Sequence, residues 1–300
     1  MFRKTHPSRI AFHVVNTIVL GLMALICLYP FWYILIYSLS DATQAQSGVT
    51  FWFKGFSLNN FAKVMQLNGI GSALFISVAR TLSGTLLSVF ACTFMGYLFS
   101  KEELPARKFL YRALVVTMYV SGGLIPTYLT ISAYKLVNTF WVYILPGVVS
   151  AYNVILVKTF VEQLPASLEE SAVLDGAGAF TVYRYIILPL SKPIVATIAT
   201  FTAVGQWNSY MDNYLYVSDT SLNTLQYLLY KFLNSTQELT KMLQQGDTSA
   251  IHQMGAASQL LTPMGVRMTI TVITVIPIFL VYPFMQKYFS KGIMLGAVKG

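Results

Sequence analysis

Residues 170–189 read ESAVLDGAGAFTVYRYIILP and separate two long apolar stretches of the chain. Small residues fill the middle of this segment, around Asp175 and Gly176, while larger residues occupy both ends. Glycine readily adopts the left-handed backbone conformation that ends helices, so a bend is predicted at Gly176. The segment therefore predicts two short helices joined by a turn, lying between the apolar stretches.

The composition of the chain is that of a membrane protein. Of its 300 residues, 55% are hydrophobic and 10% are charged, whereas soluble domains average about 25% charged residues. The formal charge of +9 need not mean a nucleic-acid partner, because membrane proteins retain Lys and Arg in their cytoplasmic loops, and no nucleic acid is predicted. Cys27 and Cys92 lie in apolar runs and the three histidines are scattered, so no disulfide or metal site is predicted.

Six apolar stretches approach or exceed the roughly 20 residues that a bilayer-crossing helix needs. The first follows basic residues, but its length and the lack of a small-residue cleavage site predict a retained helix rather than a signal peptide. We predict an all-α protein with an N-terminus of residues 1–13, a transmembrane domain of residues 14–288 and a tail of residues 289–300. The predicted spans are residues 14–37, 71–98, 112–131, 140–161, 193–216 and 267–288.

The distribution of Lys and Arg predicts the orientation. With the N-terminus inside, thirteen of these residues lie in inner segments and six in outer segments, while Arg80 lies within the second span. This bias predicts that both termini are cytoplasmic. It places residues 162–192 in an inner loop and residues 39–69 and 217–266 in outer loops. A re-entrant hairpin formed by the third and fourth spans is the alternative that would overturn the assignment.

The inner loop of residues 162–192 contains two predicted short helices. Ser167 and Glu170 have the spacing of a capping box, so a first helix is predicted from Ser167 to about Leu174. A second is predicted from Phe180 to just before Pro189, because the residue preceding a proline disfavours helix. The small residues between them let another surface approach the backbone. Docking of a partner is therefore predicted, with an ordinary connection between spans as the alternative.

The pattern Glu-x-Ala-x-x-Asp-Gly-Ala at residues 170–177, followed by Ile-Ile-Leu-Pro at residues 186–189, resembles the EAA loop of permease subunits in binding-protein-dependent ABC importers. Ser171 stands where alanine is usual in that family, and Tyr183 stands where phenylalanine is common. Neither departure removes the turn or the acidic residue. We refer to residues 162–192 as the EAA-like loop.

The resemblance implies that this loop fits a cleft on a cytoplasmic ATPase subunit. Glu170 would pair there with a basic residue of the ATPase, and Gly176 would permit the bend. The implied ATPase-coupling residues are Glu169, Glu170, Ala172, Asp175, Gly176, Ala177, Tyr183, Leu188 and Pro189.

The resemblance extends over nearly the whole chain. Six spans, the run at residues 121–126 and the C-terminal residues 291–300 are similar to the second permease subunit of maltose-type carbohydrate importers, in the branch for oligosaccharides and polysaccharide fragments. This implies a type I ABC importer permease fold. It also implies that the tail contacts the ATPase subunits, through Gly296, Lys299 and Gly300. A frayed terminus is the alternative reading of the tail.

Partners follow from the same resemblance. It implies a second permease subunit, two ATPase subunits, an extracellular solute-binding protein and surrounding lipid, in a bacterial plasma membrane. The chain has no Gly-x-x-x-x-Gly-Lys-[Ser/Thr] phosphate loop. We therefore expect no cofactor in this chain, with ATP and Mg held by the separate ATPase chains.

Two charged residues of the predicted spans stand out: Arg80 in the second span and Asp212 near the outer end of the fifth. A charge at the bilayer centre costs about 2.5–3.5 kcal/mol on insertion scales, so such residues usually face a protein or water interior. We predict that Arg80 and Asp212 approach each other or share a polar cavity. The alternative is that Arg80 extends towards the outer surface and Asp212 is interfacial.

The most polar piece of any span is residues 205–214. Aromatic rings flanked by amides and a carboxylate suit a sugar, whose C–H faces stack on rings while its hydroxyls form hydrogen bonds. An aromatic belt at the membrane interface is the alternative. The candidates for the substrate path are Arg80, Tyr119, Tyr152, Asn153, Trp207, Asn208, Tyr210, Asp212 and Asn213, with Tyr128 as a weaker one.

The leading hypothesis is a non-enzymatic permease subunit that forms half of the translocation pathway for a sugar, expected to be an oligosaccharide. An importer permease for a non-sugar solute is one alternative. A stand-alone secondary transporter or channel is another, favoured by the charges in the spans but leaving the EAA-like loop without a purpose. An intramembrane enzyme is disfavoured, because the sequence has no His-Glu-x-x-His motif and no pair of aspartates within the spans.

Overall fold

The computed structural model describes residues 7–49, 51–66, 69–244 and 263–297. These residues are predominantly helical, and their only β-type pairing is an isolated bridge between Ser40 and Phe56. The chain forms two compact units, one from residues 1–67 with 232–275 and the other from residues 68–231 with 276–300. The all-α fold class predicted from the sequence is confirmed.

The first unit contains helix α1 (Pro7–Ser38) and the short helix α2 (Asn59–Gln66). A 3-10 turn at Gln44–Ser47 lies between them. The buried amide of Asn60 donates to the carbonyl oxygens of Ser38 and Ser40 at 3.1 and 2.9 Å, which fixes α2 beneath the end of α1. The first predicted outer loop is therefore structured rather than extended.

Among the described residues, three helices contain continuous apolar stretches long enough to cross a membrane. They are α1, α3 (Ile70–Ser100) and the last helix, α13 (Pro263–Ala297). Their apolar stretches run over Ala11–Ser38, Ile70–Ser100 and Met264–Pro283. The first, second and sixth predicted spans are thus continuous helices, and α13 continues into the segment that the sequence assigned to the tail.

The third predicted span, residues 112–131, is not one helix. Helix α4 (Arg107–Val116) covers only the first five residues of this span, and α5 (Leu124–Ala133) begins after an interruption. Gly123 has φ +81°, a conformation open to glycine and strained for other residues. Hydropathy counts apolar side chains and does not register this backbone requirement.

The fourth and fifth predicted spans are also interrupted. In the fourth, two 3-10 turns (Phe140–Tyr143 and Leu145–Gly147) precede α6 (Ala151–Val161) with a bend of 48°. In the fifth, α10 (Lys192–Asn208) stops at an extended residue, Ser209. Helix α11 (Met211–Tyr216) begins after this break.

Helix α3 is the central element of the second unit and packs against both α6 and α10. Two glycines permit close approach. A Cβ on Gly96 would lie 2.6 Å from the Cβ of Val157 on α6, and a Cβ on Gly84 would lie 2.9 Å from the side-chain amide of Gln206 on α10. Close helix packing through small residues is typical of membrane proteins.

Helix α12 (Leu225–Gln244) follows α11 after a 3-10 turn at Thr220–Leu222. Leu225, its first residue, is fully buried. The backbone N–H of Leu225 donates to the hydroxyl of Ser77 on α3 at 2.8 Å, which fixes the start of α12 on α3.

The close contact at Gly96 gives a stability prediction. Gly96→Ala should destabilise the protein by about 1–3 kcal/mol, because the added methyl overpacks the contact with Val157. The matched control is Gly71→Ala in the same helix, where nothing lies within 4 Å of the added Cβ. Thermal unfolding of the purified protein in detergent measures both. Equal unfolding temperatures for the two variants would contradict the packing described here.

Candidate functional site

The EAA-like loop folds as a bent pair of short helices. Helix α7 (Ser167–Leu174) is followed by a turn at Gly176, where the sequence predicted the bend, and Gly176 has φ +84°. The N–H of Gly176 donates to the carbonyl of Val173, and that of Ala177 to the carbonyl of Ala172, both at 2.9 Å. These two bonds form a Schellman motif, so the bend satisfies the end of α7 internally.

The predicted capping box is wrong. Ser167 is the first helical residue, Ala166 precedes it, and no side chain caps the helix. The helix starts one residue earlier than the box requires, because the carbonyls of Pro165 and Ala166 accept from the N–H groups of Leu168 and Glu169.

The predicted end of the second helix before Pro189 is also wrong. Helix α8 (Ala179–Val182) passes into a π-turn at Tyr183–Ile187 and then into α9 (Leu188–Leu190), which includes Pro189. The N–H of Leu188 reaches back five residues to the carbonyl of Tyr183. This wider turn accommodates the proline ring, which would clash with a carbonyl four residues earlier in a regular α-helix.

The acidic residues of the loop have different surroundings. Glu169 forms an ion pair with Lys101, the residue that follows α3. Glu170 and Asp175 are exposed, and neither has an ion pair among the residues that the structure describes. Of the two glutamates, Glu170 is therefore the one available to a basic group on another protein.

Some of the other coupling candidates are buried against the core of the second unit, and others are exposed. Tyr183 is 3% exposed, and Ala172, Ala177 and Leu188 pack against the same core. Pro189 is exposed. Large apolar side chains of the loop also face outwards, and such a patch marks an interaction surface. They are Leu168, Val173, Leu174, Phe180 and Tyr185.

The C-terminal candidates are only partly visible. Gly296 lies in α13, while Lys299 and Gly300 lie outside the described residues. Their predicted contact with an ATPase remains a prediction.

A polar cavity of about 620 Å³ lies in the second unit, bordered by α3, α5, α6 and the α10–α11 break. This volume is within the range of ligand pockets, about 300–1,000 Å³. Most of the residues that line it carry a hydroxyl, amide or charged side chain, and apolar residues such as Ile131, Val142 and Phe201 complete the wall. Four sequence candidates line it: Arg80, Tyr152, Asn153 and Asp212.

The predicted approach of Arg80 and Asp212 is confirmed. Nη1 and Nη2 of Arg80 donate to Oδ1 and Oδ2 of Asp212 at 3.2 and 2.5 Å. Nε and Nη2 donate to the amide oxygen of Gln206 at 3.2 and 3.0 Å, and Nη1 also donates to the carbonyl of Ser209 at 3.3 Å. Arg80 is 2% exposed, and its guanidinium lies 4.5 Å from the ring centroid of Tyr143.

These contacts stabilise the break between α10 and α11. The carbonyl of Ser209 lies where the helical ladder is interrupted, and the guanidinium supplies a donor to it. Asp212, in the first turn of α11, forms the ion pair that balances the positive charge of Arg80. A buried charge is tolerated when it is paired and fully hydrogen-bonded, and all five N–H groups of Arg80 have acceptors here.

The remaining substrate-path candidates do not line this cavity. Asn213 is buried and holds the turn into α12, accepting from the N–H of Thr224 at 2.6 Å. Tyr210 stacks on Tyr230 with ring centroids 4.7 Å apart. The side-chain oxygen of Asn208 accepts a hydrogen bond from the amide of Gln226 at 3.0 Å. The side chain of Trp207 is buried, with 7% exposed. Tyr119 is 84% exposed and lies near the interruption of the third span. Tyr128 stacks on the cavity residue Tyr216 at 5.9 Å.

Two residues of the charged cluster, Gln206 and Tyr143, were not predicted as members of the site. Gln206 lies within the polar segment of residues 205–214, next to Trp207, but it carries no charge and was not among the named candidates. The signal that could have identified it is Gly84, one helical turn after Arg80, which leaves the space that the amide of Gln206 fills. Tyr143 gave no signal, because it lies in an apolar stretch.

The ion pair gives a second stability prediction. Arg80→Met leaves a largely buried carboxylate without its counter-ion and should destabilise the protein by about 3–5 kcal/mol. In the double variant Arg80→Met/Asp212→Leu most of this loss should be recovered, because both charges are removed together. Unfolding temperatures in detergent measure the cycle, with Lys108→Met at an exposed site as the control. A double variant no more stable than the single one would contradict the pairing.

Residues 11–295 match the family described as binding-protein-dependent transport system inner membrane component. The chain is 37% identical to the polygalacturonan/rhamnogalacturonan transport system permease protein YtcP of Bacillus subtilis, over 93% of this chain and 95% of that protein. It is 36% identical to Protein LplC of the same organism, over 96% and 95%.

A solved structure of a bacterial ABC transporter involved in the import of the acidic polysaccharide alginate contains a similar chain. Its TM-score is 0.82 and its sequence identity 25%, covering 96% of this chain and all of that one. The resemblance to importer permeases and the type I permease fold are thereby confirmed. The chain is therefore a membrane protein that belongs to the family of inner-membrane components of binding-protein-dependent transport systems.

Proposed function

We propose that this chain is the permease subunit that forms half of the pathway of an ABC importer for oligosaccharides or polysaccharide fragments. The observation that carries the proposal is the match of 93% of the chain to a permease named for polygalacturonan and rhamnogalacturonan transport. The likeness to an alginate importer supports the same class of cargo. A partner permease of similar topology completes the pathway, since one subunit provides one wall.

The EAA-like loop couples the permease to ATP hydrolysis in separate ATPase subunits. Its exposed apolar side chains and the exposed carboxylate of Glu170 support this role, because together they offer buried area and one directed charge to a partner. In this arrangement the loop and both termini are cytoplasmic. The tail at residues 296–300 makes a second contact with the ATPase.

The polar cavity is the part of the pathway that this chain contributes. Its wall offers hydroxyl and amide groups beside the aromatic ring of Tyr152, which is half exposed. Sugars present C–H faces to rings and hydroxyls to such donors and acceptors. An extracellular binding protein delivers the cargo, and closure of the ATPase subunits displaces the spans around the cavity.

Reversal of charge at Glu170 tests the coupling role. Glu170→Lys should weaken association with the ATPase about tenfold or more, because an interface charge pair becomes a repulsion. Co-purification of the ATPase with the tagged permease measures this, and membrane insertion of the variant should be normal. The matched control is Glu103→Lys, an exposed carboxylate outside the EAA-like loop. Normal association of the Glu170→Lys variant would refute the proposed contact.

Removal of a ring from the cavity tests the pathway. In complexes reconstituted with the partner permease, ATPase and binding protein, Tyr152→Ala should lower uptake of oligosaccharide about three- to tenfold, the loss expected for one stacking contact. Tyr119→Ala removes an exposed ring outside the cavity and should leave uptake unchanged. Fragments of acidic and of neutral polysaccharides serve as cargo. The opposite result for the two tyrosines would place the path elsewhere.

A further inference from the structure

Tyr183 of the EAA-like loop is buried although the loop itself is largely exposed. Its side chain is 3% exposed, whereas Tyr185, two residues later in the same π-turn, is 72% exposed. The ring of Tyr183 is surrounded by the rings of Phe94, Tyr97 and Phe180, with centroids 5.2, 5.7 and 6.0 Å away. Two of these three rings belong to α3.

The hydroxyl of Tyr183 makes one hydrogen bond inside this aromatic cage. Its partner is the hydroxyl of Thr93 on α3, at 2.7 Å. Thr93 has a single proton and lies 2.6 Å from the carbonyl oxygen of Val89, to which it donates. Tyr183 is therefore the donor to Thr93, and Thr93 in turn donates to the backbone carbonyl of Val89 in α3.

This buried bond connects the loop to α3 more specifically than the ion pair near the end of the helix. The ion pair between Lys101 and Glu169 is partly exposed, with 26% and 20% of the side chains accessible. Ion pairs in contact with water contribute little and tolerate rearrangement. A buried O–H cannot exchange its acceptor for water, so a movement of the loop that left Thr93 behind would strand an unpaired donor.

Helix α3 leads from this bond to the polar cavity. Thr93 and Arg80 are thirteen residues apart on the same uninterrupted helix, about 20 Å along its axis at 1.5 Å per residue. Arg80 in turn holds Gln206 and Asp212 on either side of the α10–α11 break. A displacement of α3 at Thr93 therefore displaces the groups that form the wall of the cavity.

We propose that the Tyr183–Thr93 hydrogen bond transmits the movement of the EAA-like loop to α3 and thereby to the cavity. Tyr183 is then a positioning residue that acts through Thr93 and does not itself touch the ATPase. This proposal rests on the proposed coupling function of the loop, but it assigns the internal step of that coupling to one bond. Association with the ATPase depends on the outer face of the loop and remains intact when the bond is removed.

The experiment uses the complete reconstituted transporter and measures three quantities: association with the ATPase, ATP hydrolysis, and oligosaccharide transported per ATP. Tyr183→Phe keeps the ring and removes the hydroxyl. We expect normal association and a fall of about three- to tenfold in oligosaccharide transported per ATP, the range that corresponds to one hydrogen bond. Tyr134→Phe removes a hydroxyl at an exposed position outside both the EAA-like loop and the cavity, and it should change none of the three quantities.

A second pair of variants approaches the bond from α3. Thr93→Val keeps the shape and removes the hydroxyl, whereas Thr93→Ser keeps the hydroxyl, so only the valine variant should uncouple. Unchanged transport per ATP in both Tyr183→Phe and Thr93→Val would overturn the proposal. So would a loss that follows the unfolding temperature of each variant, because a purely structural role predicts that correlation.

The two proposals fail in different ways. If Glu170→Lys associates with the ATPase as well as the wild-type permease does, the proposed contact of the loop with the ATPase is refuted. If association depends on Glu170 and the variants of Tyr183 and Thr93 still transport normally per ATP, only the internal link is refuted.

Discussion

The guanidinium of Arg80 and the break between α10 and α11 depend on each other. Inside a membrane every backbone polar group must find a partner within the protein, so an interrupted helix needs donors and acceptors from elsewhere. Arg80 supplies donors to the carbonyl of Ser209 and to the side chains of Gln206 and Asp212. A buried guanidinium on an apolar helix needs hydrogen-bond acceptors, and the α10–α11 break supplies them. Arg80 thus offsets the cost of the unpaired backbone groups, and the break offsets the cost of burying the charge. The residues that make these contacts form part of the cavity wall.

Helix α3 can hold this arrangement because its sequence provides space as well as polarity. Gly84 leaves room for the amide of Gln206, and Gly96 lets α6 approach within contact distance. Between the two glycines, Thr93 offers its hydroxyl to the EAA-like loop. One continuous helix therefore carries the residues that contact α6, α10 and the loop, and the interrupted spans are arranged around it.

The sequence predicted those features that depend on a residue type with few possible structural roles. A glycine after an acidic residue in a helix-forming stretch indicated the bend at Gly176, and two charges in apolar stretches indicated the pairing of Arg80 with Asp212. It did not predict the π-turn, because the rule for residues preceding Pro189 considers only regular helices. Hydropathy could not reveal the interruptions of the third and fourth spans, since their backbone changes direction while the side chains stay apolar. The family pattern gave the residue type at Tyr183 but not the direction of its side chain.

The saturation of Arg80 also limits what this wall can do to a cargo. Each of its five N–H groups already has an acceptor within the chain, and its charge is balanced by Asp212. Among the described residues that line the cavity it is the only cation, and Asp212 is the only anion. A carboxylate on a passing oligosaccharide would have to displace Asp212 or Gln206, and so open the α10–α11 break, before it could bind the guanidinium. In this conformation the wall thus offers neutral hydroxyls, amides and rings, and the ion pair determines its shape.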